Sequence, residues 1–366
     1  MFKPMFSKSI FKSEYKKKAA ILSTLIIVIA AVYILSYVLD PQNRRDAAFA
    51  WLDSNLQNMA DRIEISGDEG RTVLSRVNNV WYFLSDANPD GSSGSAGSSR
   101  MLPVKQEKVG DLFALLGRKG VYPVRASTQE AIERLGLDEG KASRIIVRGG
   151  VGLPLLDLFI GFGTALGREI NLRRAGWNRI YTTEEDFYSF TEVEPASWYD
   201  LRLFPPTPEE SGGNLGRTAI GIDRVQQVEI SLLGKETFIF RRSGQGWVIP
   251  GDGTVLDTIK VEAWLRLIIE AQADDFGFSP PDIVEGSCTL RLGDGTSRTL
   301  MVGPIESQYR RESQTTADGQ KYRSVTVSGA LNEGRTPQGS SLVYIISDTT
   351  FSNFFELSFA YLNDSP

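Results

Sequence analysis

The chain has 366 residues, with 40 Lys and Arg against 45 Asp and Glu, no histidine and one cysteine. Without histidine there is no Ser-His-Asp triad, no Cys-His dyad and no histidine-ligated metal. Cys288 alone allows neither an intramolecular disulfide nor a cysteine zinc cluster.

Residues 1–18 carry six lysines, at positions 3, 8, 12, 16, 17 and 18, opposed only by Glu14. Ala19 to Leu39 follows as 21 residues without a charge. As a helix rising ~1.5 Å per residue, that run crosses a hydrocarbon core of about 30 Å. Backbone groups in lipid must bond internally, so a transmembrane helix is expected. Tyr33 and Tyr37 suit its far interface, and Asp40-Pro41 ends it. The lysines predict a cytoplasmic N-terminus and an exported remainder. A cleaved signal peptide fits less well, because the nearest small-x-small triplet, Ala48-Phe49-Ala50, lies beyond Arg44-Arg45. The expected location is the bacterial inner membrane, single-pass, with the bulk of the chain periplasmic. Ser23, Ala30 and Ala31 are small enough for close contact with another membrane helix. Residues 40–60 read as a helical stalk with an apolar stripe of Ala47, Phe49, Leu52 and Leu56. Beyond the tail, 34 basic residues face 44 acidic ones, about −10 in all. No basic stripe with interleaved aromatics appears, so nucleic-acid binding is not expected.

Self-comparison of the remainder predicts a duplicated unit, 61–204 and 218–366, joined by a Pro/Gly-rich connector at 205–217. Asp61-Arg62-Ile63-Glu64-Ile65 resembles Gln226-Gln227-Val228-Glu229-Ile230. Thr72 to Arg76 then matches Thr237 to Arg241, and Trp81-Tyr82-Phe83 matches Trp247-Val248-Ile249. Alternation with period two, bounded by Gly, Asp and Asn, argues for antiparallel hairpins. An amphipathic helix comes next in both copies, with Val109, Leu112, Phe113 and Leu116 on one face and Val261, Trp264, Leu265 and Ile268 in the other. Further strands follow at 143–148 and 287–292, at 158–161 and 300–303, and from Arg179 and Leu342. Phe187 and Phe190 close one copy, Phe351 and Phe354 the other. The Gly/Ser-rich stretches at 88–99 and 313–320 read as loops. The expected fold class is α+β: an N-terminal transmembrane helix, then two tandem, mostly antiparallel sheets, each covered by one amphipathic helix. Trp81, Trp247, Phe113 and Leu265 are the expected core, with an exposed sugar-stacking platform as the alternative for the tryptophans.

Candidate chemistry is sparse. Gly161-Phe-Gly163-Thr-Ala-Leu-Gly167 follows an apolar run, but Leu166 stands where a dinucleotide loop needs its third glycine. Gly136 to Ala142 is one residue short of a Walker A loop and lacks its Ser/Thr. Gly251-Asp252-Gly253-Thr254 and Gly293-Asp294-Gly295-Thr296 lack the further carboxylates of a calcium loop and read as turns. Asp274-Asp275 and Glu184-Glu185-Asp186 read as surface acids, and Cys288 as an inert buried thiol. No catalytic, cofactor-binding or metal-ligating residue is assigned, and no cofactor is expected.

The order of elements resembles a bacterial family of membrane-anchored proteins, the domain of unknown function numbered 4340. The residues that carry the resemblance are the N-terminal apolar run, Arg62-Ile63-Glu64-Ile65, Trp81, the helix from Lys108, Leu135-Gly136-Leu137-Asp138, Phe159-Ile160-Gly161 and Tyr181. The second copy has Phe276-Gly277-Phe278-Ser279 in place of the Gly-Leu-Asp step. Members of that family are often encoded beside ABC transporters of the gliding-motility type and are described as auxiliary components. The resemblance therefore implies a non-enzymatic accessory subunit with an ABC transporter permease as partner, and the exported units are expected to hold either a second exported subunit or an exported substrate. The alternatives are a tethered module binding envelope glycan or lipid, and a carboxylate-based envelope hydrolase.

Overall fold

A computed structural model describes residues 22–32, 48–85, 100–161, 163, 169–204, 220–244, 246–251, 253–306, 321–329 and 342–355. Helix α1 covers 22–32, and Ser23, Ala30 and Ala31 are exposed on it. Among the described residues, no helix is long and apolar enough to cross a membrane. The basic tail, Ala19, Leu39, both Gly/Ser-rich loops and the connector at 205–217 lie outside the described residues.

The body is α+β, with two antiparallel nine-stranded sheets. The first contains β1 (Ala60–Gly67), β2 (Gly70–Val77), β3 (Val80–Ser85), β4 (Arg100–Pro103), β5 (Val124–Ala126), β6 (Ser143–Gly149), β7 (Pro154–Gly161), β8 (Ile170–Arg174) and β9 (Ile180–Thr183). Its spatial order is β4-β3-β2-β1-β6-β7-β8-β9-β5. The second contains β10 (Val225–Leu232), β11 (Phe238–Ser243), β12 (Gly246–Val248), β13 (Val255–Leu256), β14 (Asp275–Phe276), β15 (Gly286–Leu292), β16 (Ser297–Glu306), β17 (Tyr322–Ser328) and β18 (Val343–Ser347). Its order is β13-β12-β11-β10-β15-β16-β17-β18-β14, the first order with each number raised by nine. The two units thus share one topology.

Local chemistry explains the hairpins. Val77 pairs with Val80, and Asn78 and Asn79 turn the corner at φ 50° and 67°. That left-handed pair matches the right-handed twist of the flanking strands, and Asn tolerates it best after Gly. Alternate residues face one side: Ile63, Ile65, Ile145, Val147, Leu158, Ile160 and Leu172 are buried there. Helix α3 (Gln106–Gly117) lays Val109, Leu112, Leu115 and Leu116 in the same core. Gln106 ties its first turn to β3, accepting from the Trp81 N–H at 3.0 Å and donating to the Trp81 carbonyl at 2.8 Å. Helix α5 (Thr258–Ile269) is the counterpart in the second unit, with Val261, Trp264, Leu265, Ile268 and Ile269 buried. Asp257 caps it, accepting from the Ile259 and Lys260 amides. Trp81 and Trp247 are both core, at 7% and 0% exposure, which leaves no room for a stacking platform. Leu265 is fully buried. Phe113 is half-buried against Trp81, with ring centroids 5.6 Å apart, and Leu115 takes the inward position beside it.

Three sequence expectations need correction. The described part of the expected stalk is body rather than stalk. Phe49 and Gly120 exchange backbone hydrogen bonds at 3.0 and 3.1 Å, and Trp51 and Leu52 are buried. Only α2 (Ser54–Asn58) is helical there. Phe49 and Leu52 are placed by contacts with the body, so their spacing is not that of one helix face. Second, the β1–β2 and β10–β11 hairpins differ by one residue. Ile65 faces Thr72, but Ile230 faces Phe238, so Thr72 corresponds to Phe238 and not Thr237. A one-residue slip exchanges the faces of a strand. Third, Leu203 and Phe204, expected to end the first unit, are buried, and the backbone from Leu201 to Leu203 pairs with the second. The Leu203 amide donates to the Ala271 carbonyl at 3.1 Å, and the Ala273 amide to the Leu201 carbonyl at 2.8 Å.

Candidate binding face

The outward face of the first sheet gathers four arginines around two carboxylates. Directly opposed residues of antiparallel strands share a face. Arg62 lies opposite Ser75 and Arg148; Glu64 opposite Val73 and Ile146; Ser66 opposite Arg71 and Arg144. The next strand sets Asp157 opposite Ile146 and Phe159 opposite Arg144.

Three guanidiniums converge on Glu64. Its Oε1 accepts from Arg62 Nε and Arg148 Nε, both at 2.9 Å, and its Oε2 meets Arg71 Nη2 at 2.6 Å. Burial of this carboxylate pushes its pKa upward, but the hydrogen bond from Arg148 and the charges of Arg71, Arg148 and Arg62 outweigh burial. The result lies below the usual carboxylate range. Beside it, Arg144 grips Asp157 with two parallel bonds, Nε to Oδ1 at 2.8 Å and Nη2 to Oδ2 at 2.7 Å. The Asp157 bond is the main reason the Arg144 guanidinium holds its proton even more firmly than usual.

A step bounds this floor. Helix α4 (Gln129–Arg134) and the segment after it pack on the same outward face. Ala131, Ile132, Leu137 and Ala142 form a small second core with Phe159 and Ile180. Arg144 and Arg173 stack on the Phe159 ring at 4.8 and 4.4 Å, and Arg173 donates to the Leu137 carbonyl at 2.8 Å. Gly161 sits where the step crosses β7. A Cβ there would strike the Leu135 carbonyl and the Leu137 side chain, so glycine is a clearance requirement. Gly303, at the corresponding place in β16, faces Pro281 in the same way. This accounts for the glycine that begins the supposed dinucleotide loop.

The second sheet repeats the floor without most of its charge. By register, Gln227 stands for Arg62, Glu229 for Glu64, Arg291 for Arg148, Ser287 for Arg144 and Thr299 for Asp157. Thr237, whose hydroxyl meets Ser231 at 2.6 Å, stands for Arg71. Arg241 takes the place of Ser75. Glu229 and Arg291 keep a looser pair at 3.9 Å.

The other sequence candidates are structural. Glu185 accepts from Arg118 at 2.9 Å and approaches the Tyr122 hydroxyl at 3.5 Å. Burial foremost, then the Glu185 charge, pushes that phenol up to about 12. Asp186 accepts from the Ser189 amide, and Asp274 from the Ser347 amide. Asp294 holds its own turn through Thr296 at 2.8 and 2.6 Å and pairs with Arg224. Asp252 and Gly167 lie outside the described residues. Burial raises the Cys288 thiol to about 12. Among the described residues, no group of three or more His, Cys, Asp or Glu side chains could hold a metal ion. Arg62 and Glu64 were visible in the sequence only as a repeated strand. Their link to Arg71, Arg144 and Arg148 depends on strand pairing, though charges at every second or fourth residue of a strand are its sequence signature.

The fold and this face define an internally duplicated α+β protein with an arginine-rich outward surface on its first sheet. No protein-family model, no curated protein and no solved structure matches the chain.

Proposed function

We propose that this chain is a membrane-anchored, extracytoplasmic accessory subunit of an ABC-type transport system that acts by binding and not by catalysis. Residues 19–39 form the anchor in this reading, the tail stays in the cytoplasm, and both lobes are exported. The observation that carries it is the uncharged run behind six lysines, placed ahead of two lobes of one topology. The resemblance to the 4340 family supports the same assignment and supplies the permease as partner. Ser23, Ala30 and Ala31 are the residues by which the anchor would approach permease helices. The lobes would then hold a second exported subunit or the exported cargo.

Two experiments test this. A reporter fused after residue 366 should be active only outside the cytoplasm; activity inside reverses the topology. Affinity purification of the tagged full chain from detergent-solubilised native membranes should recover a permease and its ATPase. Recovery of neither removes the transporter from the proposal.

A further inference from the structure

We infer that the outward face of the first sheet binds a linear polyanion carrying repeated phosphate groups, held by Arg62, Arg71, Arg144 and Arg148 beside Glu64 and Asp157. This inference concerns a ligand site that the accessory-subunit reading does not name, and it holds whether or not a permease is the partner.

Four guanidiniums against two carboxylates leave an excess of two positive charges on a chain whose formal net charge is −5. The fold does not require them. In the second unit the same strands in the same order carry Gln227, Thr237 and Ser287 at three of the four positions. Glu229 there is 35% exposed and keeps only a looser contact with Arg291 at 3.9 Å, so the sheet forms without counterparts of Arg62, Arg71 and Arg144. The Arg62 and Arg71 side chains are 41% and 52% exposed, so they remain within reach of a ligand. Glu64 takes one N–H each from Arg62 and Arg71, and Arg148 gives one more to Glu64 and one to the Gly152 carbonyl. Each guanidinium has five N–H groups in a planar fork suited to phosphate oxygens.

The layout favours a chain over a single ion or a membrane. The guanidiniums form two groups: Arg62, Arg71 and Arg148 gather on Glu64, and Arg144 on Asp157, which lies in the same row two strands away, about 10 Å between backbones at the usual strand spacing. A single phosphate can engage only one of these two groups, whereas successive groups of a polymer reach both. The side chains of Arg144 and Arg148 are only 29% and 30% exposed, on a floor beside the α4 step. A flat bilayer would rest on the step, while a flexible chain can lie along its foot.

The test uses the purified full chain with its six tail lysines changed to glutamine, so that the tail contributes no binding. Inorganic polyphosphate is the probe, followed by calorimetry or fluorescence anisotropy. Orthophosphate, a carboxylate polymer and phosphatidylglycerol vesicles are the comparison arms. The expected result is saturable polyphosphate binding that weakens steeply with salt, since phosphate contacts displace counterions. Orthophosphate should bind at least ~100-fold more weakly, and the carboxylate polymer and vesicles at least ~10-fold more weakly, because repeated phosphates alone engage every fork. Arg62→Gln with Arg71→Thr installs the second unit's own residues and should lower the affinity by about tenfold or more. The converse pair, Gln227→Arg with Thr237→Arg, should add a second binding site per chain. It keeps the question answerable if the first pair fails to fold. Equal binding by the folded Arg62/Arg71 variant, or no gain in the converse variant, overturns the inference. Orthophosphate equal to polyphosphate would make this a single-ion site, and equal or stronger vesicle or carboxylate binding would make the ligand something else; each overturns it too. None of these results depends on recovering a transporter, so failure here and failure of the accessory-subunit reading are separable.

Discussion

Glu64→Gln isolates what one carboxylate does for the first sheet. The change keeps the shape of the side chain and one oxygen acceptor, but removes the charge that three arginines share. A hydrogen bond to a charged, mostly buried partner contributes about 1.5–3 kcal/mol. The Arg148 contact falls in that class, because the Glu64 side chain is only 9% exposed. Arg62 and Arg71 are 41% and 52% exposed, so solvent screening holds each of their contacts to about 0–1 kcal/mol. Glutamine keeps part of the hydrogen bonding, and the expected loss near neutral pH is about 2 kcal/mol, or roughly 4–8 °C in the melting point of a lobe of this size. The pH dependence has a definite sign. The native Glu64 carboxyl ionises below its ordinary range, so its stabilisation is complete above the unfolded value of about 4.3. It is lost as pH falls through the lower native value. Melting curves of wild type and variant should therefore lie apart near neutral pH and converge progressively below about pH 4. A gap that stays constant across the whole acid range would assign the effect to packing, and no gap near neutrality would mean that the arginines do not need the carboxylate.

Trp247→Ala should cost about 3–5 kcal/mol in a urea titration, because the ring is wholly buried and T-shaped against Phe240 at 5.5 Å. An unchanged midpoint would contradict that placement. Gly161→Ala should destabilise the first lobe by about 1–3 kcal/mol, since the α4 step has to lift off the sheet, and hydrogen exchange should quicken over 129–142. Unaltered protection there would refute the clearance argument. Native Cys288 should resist a disulfide reagent at mildly alkaline pH and react as one thiol in denaturant, given its burial. Rapid labelling of the folded chain would show that the thiol is reachable.

Residues with strong periodicity were legible in the sequence. Ile63 and Ile65 alternate across a half-buried strand, and Val261, Trp264, Leu265 and Ile268 follow the helical repeat, so their burial follows from spacing alone. The duplication was legible because both copies carry these patterns in one order. β8 was missed although Ile170, Asn171, Leu172 and Arg173 alternate apolar and polar, because the run is only five residues long and its two inward residues are too few to stand out from the loops around it. β5 and β14 have three and two residues, and only their pairing with β9 and β18 makes them strands. Phe49 and Leu52 carried a misleading helical spacing, because nothing local reveals that Gly120 waits opposite Phe49. The charged face was hidden for a related reason. Arg71 and Arg144 are 73 positions apart in the chain and become neighbours of Ser66 only once β2 and β6 flank β1.

The segment before the connector carries a practical lesson about where the molecule can be divided. Tyr199 stacks edge-on against Phe276 at 5.0 Å, and Arg202 joins Asp200 and Glu107 on one side while its backbone bridges Gln272 on the other. A cut at the proline-rich stretch would therefore hand the downstream half to solvent with the Ala271–Ala273 backbone stripped of its mate. It would also leave Leu203 and Phe204 dangling from the upstream half. A seam ahead of Tyr199 is no cleaner, since the Asp200 amide donates to the Pro103 carbonyl at 3.0 Å and Tyr199 packs edge-on against Phe83 at 5.3 Å, so this short stretch is a clasp gripped from both sides and the molecule is best left uncut.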